Sequence, residues 1–231
     1  MKLKNAVVFI TGANRGLGRA FAEAALAAGA AKVYAAARDP ASVDLPGVVP
    51  IALDVTDPAQ VAAAATRCGD VTLLINNAGV SQAATVLADD AIDTARRQFE
   101  TNFFGVWALT QAFAPALQAN GGGAVLNVLS VLSWLTVPGL TPYSASKSAA
   151  WALSNGLRGE LKAQGTQVTS LHVGYMDTDM TRGLDTPKSA PADVARLALE
   201  GIEAGAFEVL ADDISRQVKQ SLSTATPAYA G

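Results

Sequence analysis

Cysteine and histidine each occur only once in this 231-residue chain, as Cys68 and His172. A single thiol excludes a disulfide within the chain, and a Cys/His metal site lacks its ligands, so no metal is expected. Charge is also sparse. Only 16% of residues are Asp, Glu, Lys or Arg, the net charge is −3, and no block of like charge occurs. That balance suits neither nucleic acid nor an anionic membrane surface, and neither is expected as a partner. Long apolar runs are missing too. Two lysines precede the run 6–10, but Thr11-Gly12 ends it before it reaches the length of a signal sequence or a membrane span. A cytoplasmic location is the resulting expectation.

Apolar side chains, by contrast, make up half of the chain. A large core is therefore affordable in one α/β domain covering 1–231, and the length leaves no room for a full second domain. Short apolar runs at 6–10, 32–37, 48–53, 71–75, 124–129, 167–172 and 207–211 read as strands. Between them lie helical stretches at 19–28, 58–67, 90–119, 142–164 and 191–204. Asp57 reads as an N-cap with Pro58 in the first turn, and Gly29 as a helix stop. Continuous apolar strands alternating with helices predict a parallel, doubly wound sheet with helices on both faces. The polar stretch 214–231 is expected to be a partly flexible tail. Ligands in such a sheet bind beyond the carboxyl ends of the strands.

The first strand runs into Thr11-Gly12-Ala13-Asn14-Arg15-Gly16-Leu17-Gly18, followed at once by a helix. Glycines there permit a tight turn and close approach of backbone to a pyrophosphate, and a helix N-terminus offers unpaired N–H groups. The spacing Thr-Gly-x-x-x-Gly-x-Gly resembles the short-chain dehydrogenase/reductase family. The resemblance implies a single-domain Rossmann fold and a nicotinamide dinucleotide held by Gly12, Asn14, Arg15, Gly16, Leu17 and Gly18. The second strand ends in Ala37-Arg38-Asp39. NAD-preferring relatives carry a carboxylate where this chain has Ala37. With that acid missing, Arg38 and Arg15 are expected to bracket a 2′-phosphate, which points to NADP(H). By the same resemblance Asp54 meets the adenine amino group, Val55 covers its ring, and Asn77-Ala78-Gly79 lines the cofactor.

The segment Tyr143-Ser144-Ala145-Ser146-Lys147 carries the expected chemistry. Tyrosine and lysine at i and i+4 share a helix face. A free phenol has a pKa of ~10; a nearby ammonium and an oxidised nicotinamide both favour its ionisation, so that Tyr143 exchanges a proton with an alkoxide. Lys147 also has the reach to grip the nicotinamide ribose. Ser130 ends the fifth strand thirteen residues before Tyr143, a spacing that matches the family, and is placed to hydrogen-bond the substrate oxygen. Asn102, inside an apolar helical run, reads either as a satisfied core amide or, by resemblance, as the fourth catalytic residue. In the second role it kinks its helix and holds a water that connects Lys147 to solvent.

Two departures from the family occur. Val173 stands where relatives have proline, although Gly174 and Thr178 still fit, Thr178 near the carboxamide. The ending Asp212-Asp213 replaces the Asp-Gly-Gly of many tetramers. Leu132, Trp134, Leu135, Val137, Leu140, Tyr175, Met176 and Met180 form a candidate apolar wall, so a neutral hydrophobic ketone or aldehyde is the expected substrate. His172 reads as a packing residue at a strand end. Phe103, Phe104, Trp107 and Trp151 suggest an apolar contact between copies, hence a homodimer or homotetramer. Sugar-nucleotide epimerases share Tyr-x-x-x-Lys but are longer and differ in glycine spacing. A non-catalytic NADP(H)-binding sensor is the alternative function; the presence of all four catalytic positions weighs against it.

Overall fold

The computed structural model describes residues 1–230. Seven strands form one all-parallel sheet in the order β3-β2-β1-β4-β5-β6-β7. They are β1 (Val7–Thr11), β2 (Lys32–Ala37), β3 (Val49–Ala52), β4 (Leu73–Asn76), β5 (Ala124–Val128), β6 (Gln167–His172) and β7 (Glu208–Leu210). This is the doubly wound α/β sheet that the alternation of apolar runs and helices predicts.

One face is covered by α1 (Gly16–Ala27) and α6 (Pro191–Glu203), around a core that includes Phe21, Ile10, Leu171 and Ile202. On the other face lie α2 (Pro58–Arg67), α4 (Gly105–Ala119) and α5 (Thr141–Glu160), packed over Phe9, Leu74, Phe113 and Leu117. Burial on both sides explains why the strands lack a polar alternation. The strand order reverses direction between β1 and β4, the switch point beyond whose carboxyl ends ligands bind in sheets of this kind.

Buried amides link β4 to its other neighbour, β5. Asn76 of β4 donates from Nδ2 to Asn127 Oδ1 on β5 at 2.9 Å and to Thr110 Oγ1 at 3.1 Å. Asn127 in turn donates to Ser154 Oγ on α5 at 2.9 Å. Both asparagines are at most 2% exposed.

Two segments differ from expectation. The single helix predicted over 90–119 is broken: α3 (Ala91–Phe99) gives way to a π-helical turn, Glu100–Phe104, before α4 begins. The stretch expected as a tail from 214 contains a helix, α7 (Asp213–Ser221). Asp212 caps it by accepting from Ser215 N at 2.8 Å, and Val218 is buried beside Trp134. One cap and one apolar anchor are a faint sequence signal, and the contacts that hold the helix come from distant segments.

Candidate active site

The glycine turn lies against the end of β4. Thr11 Oγ1 accepts from the backbone N–H of Asn77 at 3.0 Å and of Ala78 at 2.9 Å. Asn77 Nδ2 donates back to the Thr11 carbonyl at 2.8 Å. Gly12 and Gly16 have φ of +65° and +53°, which side chains disfavour. A Cβ on Gly18 would collide with the Gly12 carbonyl and lie 2.6 Å from Asn77 Nδ2. Such packing brings the N-terminus of α1 directly above the sheet end. Arg15, its N-cap residue, supplies no side-chain acceptor, whereas Asp57 and Asp212 do so for α2 and α7. First-turn donors without an internal acceptor fit a dinucleotide's phosphates. Leu17 is buried behind the turn, and Asn14 is half-buried within it.

Ala37 is buried at the end of β2 and Arg38 is exposed beside it. The Asp39 carboxylate is already engaged, accepting from Ala41 N at 3.0 Å in the turn that follows. Arg15 departs from expectation: its guanidinium pairs with Asp179 at 3.0 Å, on the segment after β6, instead of lying free to bracket a phosphate with Arg38. Arg182 pairs with the same Asp179. Together with Gly16, Thr178 and Lys188 they line a cavity of about 400 Å³. Asp54 holds Thr56 N at 2.9 Å and Thr56 Oγ1 at 2.8 Å in a local turn. Val55 is buried against Gly105, where a Cβ would lie 2.9 Å from its Cγ2. Thr178 reaches Gly16, with 3.4 Å from its Cγ2 to a Cβ built there.

Tyr143 and Lys147 share one face of α5, the ammonium 5.9 Å from the phenol ring centre. Burial pushes the Tyr143 pKa up to about 12, and the neighbouring Ser130 hydroxyl opposes that rise. Desolvation disfavours the charged phenolate, so burial acts against the ionisation that a cation or an oxidised nicotinamide favours. Lys147 is itself pushed down to about 8 by burial. Its Nζ donates to the Val128 carbonyl at 2.8 Å. Ser130 caps a short turn, its Oγ accepting from Leu132 N at 3.1 Å, which leaves its own hydrogen for another acceptor. A hydroxyl, a phenol and an ammonium in this sequence can bind a carbonyl oxygen and pass it a proton.

Asn102 is fully buried in the π turn. Its amide clamps Val80, accepting from N and donating to O at 2.9 Å each, and donates to Ser146 Oγ at 3.0 Å. This satisfied amide lies 3.2 Å from a Cβ built on Gly79, while Lys147 Nζ lies 3.6 Å from it, so the π turn, the Asn-Asn-Ala-Gly end of β4 and the lysine meet.

Beyond β6, Val173 and Gly174 are tied to distant segments. The Val173 carbonyl accepts from Val131 N at 3.0 Å, and Gly174 N donates to Asp212 at 2.6 Å. Asp212, Gly105 and Asp179 escape a local reading of the sequence, because each acts on a residue far away in the chain. Leu132 and Trp134 are buried with Leu135, Val137, Leu140 and Tyr143 around them. Met176 packs instead against the α1/α6 core, and Tyr175 and Met180 are exposed. Trp151 is half-buried against Trp134, whereas Phe104 and Trp107 are exposed and meet Phe103 edge to face. Among the described residues, no helix is long and apolar enough to cross a membrane.

A family model described as short chain dehydrogenase matches residues 6–189. Mouse dehydrogenase/reductase SDR family member 7B is 36% identical over 195 residues, covering 78% of this chain. The chain spans 60% of the length of that relative. Among solved structures, a short chain dehydrogenase from Burkholderia cenocepacia in complex with NADP is 40% identical, with a TM-score of 0.93 over 97% of this chain and 95% of that one. A short chain dehydrogenase/reductase from Burkholderia phymatum in complex with NAD is 25% identical, with a TM-score of 0.85 over 96% and 95%.

Proposed function

The chain belongs to the short-chain dehydrogenase/reductase family, and from that premise we propose that it is an NADPH-dependent carbonyl reductase acting on neutral, hydrophobic ketones or aldehydes. The observation that carries this reading is Tyr143 beside the Ser130 hydroxyl, with Lys147 one turn along α5. Bound NADPH supplies the hydride. Ser130 donates its free hydrogen to the carbonyl oxygen and orients it. Tyr143 donates its proton to the same oxygen as that oxygen becomes an alkoxide. A phenol that burial keeps protonated suits this reductive direction. Lys147 then returns a proton to the phenolate and holds the nicotinamide ribose, and Asn102 connects the lysine to solvent through a water.

The apolar cluster that includes Tyr143 supports a neutral substrate. The proposed cofactor site comprises Gly12, Asn14, Arg15, Gly16, Leu17, Gly18, Arg38, Asp54, Val55, Asn77, Ala78, Gly79, Gly174 and Thr178, with Tyr143 and Lys147. The test is consumption of NADPH and NADH with a panel that includes benzil, acetophenone and aliphatic aldehydes. Turnover of no member, with cofactor binding intact, refutes the proposal.

Asn102→Leu is expected to reduce turnover more than NADPH affinity. Unpairing Val80 also costs ~1–3 kcal/mol of stability. A variant that is less stable yet turns over normally would assign Asn102 to the core alone. The exposed Phe104 and Trp107 support a homodimer or homotetramer through α4 and α5. Light scattering at micromolar concentration is expected to give a multiple of 23.6 kDa; a monomer overturns the assignment.

A further inference from the structure

His172 is the sole histidine of the chain, and nothing in the proposed chemistry uses it. It is nevertheless fully buried directly beneath the site. Its Nδ1 lies 3.1 Å from the Ser130 carbonyl oxygen, which also accepts from Ser133 N at 3.0 Å. A carbonyl only accepts, so Nδ1 must carry the hydrogen. The ring stacks on Trp134, with centres 3.8 Å apart and planes 16° from parallel. Lys219 lies over the Trp134 ring at 4.8 Å and also pairs with Glu208.

We propose that His172 is a positioning residue: its Nδ1–H fixes the Ser130 carbonyl and its face carries Trp134, so one side chain sets both the substrate-binding hydroxyl and the aromatic wall beside it. The proposal rests on the carbonyl-reductase reading. It requires a neutral ring with a bare Nε2. Around the ring stand Glu208 of β7, Lys219 of α7 and Lys147 of α5. Glu208 is 3.8 Å from Nε2, beyond hydrogen-bond range, and is engaged by Lys219 and by Trp151 Nε1 at 3.2 Å. Nε2 has no partner among the described residues. Burial holds the imidazole pKa down at about 4, consistent with a neutral ring at working pH.

Because the chain has one histidine, ¹⁵N-histidine NMR reads this ring alone. The expected spectrum is the Nδ1–H tautomer, with no titration between pH 8 and pH 5. An Nε2–H tautomer, or a midpoint near the free value of ~6.5, overturns the proposal. Two substitutions add a kinetic test. Asparagine places an N–H near the Nδ1 position, and glutamine near Nε2. His172→Asn is expected to keep kcat/KM for benzil within about threefold, and His172→Gln to lose about 10- to 100-fold, as a misplacement near 1 Å does. NADPH affinity is expected to be unchanged in both. Equal behaviour of the two variants overturns the positioning role. If the wild type turns over no carbonyl, the reductase reading fails, and the tautomer measurement still decides the contact with Ser130.

Discussion

Replacing Tyr143 by Phe is expected to lower turnover by ~10²–10⁴-fold, the usual worth of a general acid, and to leave NADPH affinity near that of the wild type. Phenylalanine keeps the ring that packs among Leu140 and Trp134, so the apolar cluster survives. Only the hydroxyl beside Ser130 is lost. The oxygen of a bound carbonyl then keeps one hydrogen-bond donor, Ser130, but has no group from which to take a proton. Steady-state turnover and fluorescence titration with NADPH together test this. Turnover within a few-fold of wild type would remove Tyr143 from the mechanism.

Equally large is the expected preference for NADPH over NADH, on the order of 10–1000-fold in kcat/KM if two charge-assisted hydrogen bonds of ~1.5–3 kcal/mol form in part-solvated surroundings. Three features of the β2 end favour the phosphate. Ala37 supplies no competing carboxylate, and Arg38 is exposed, without an ion-pair partner among the described residues. Asp39 is the acid that could serve a ribose hydroxyl, and one of its two oxygens is already turned to Ala41 N. Arg15 contributes only by leaving Asp179, so the gain from it is smaller than from Arg38. Hence Arg38→Ala is expected to remove most of the discrimination and Arg15→Ala less. Measuring kcat/KM for both cofactors in the three proteins decides the matter. An NADH preference in wild type, or undiminished discrimination in Arg38→Ala, reverses it.

What the sequence made legible was whatever is local. The glycine turn, the Asp57 cap and the Tyr143–Lys147 pair each lie within a few residues, so their spacing encodes their geometry. The sheet was legible because apolar runs and helices alternate without interruption. Other features depend on partners far along the chain. The π turn at Asn102 answers to Val80 and Ser146, the Gly174 loop to Asp212, and Arg15 to Asp179. Nor does spacing show that burial raises the Tyr143 pKa, since desolvation belongs to the folded surroundings. Helix α7 was missed for a related reason: its polar sequence conceals the burial of Val218 under Trp134.

The amides that cross from Asn76 to Asn127 and Ser154 act as a key for strand alignment. Side chains along a strand alternate between faces, so sliding β5 by a single residue past β4 would turn Asn127 to the opposite side. Asn76 would then keep Thr110 but lose Asn127, at ~1–3 kcal/mol for each group left unpaired. Leucine–leucine contacts alone do not discriminate so sharply between neighbouring alignments. The same slip would carry Ser130, just beyond β5, along by ~3.3 Å, away from Tyr143 on α5. Two asparagines that never meet a substrate thus hold the serine in phase with the tyrosine.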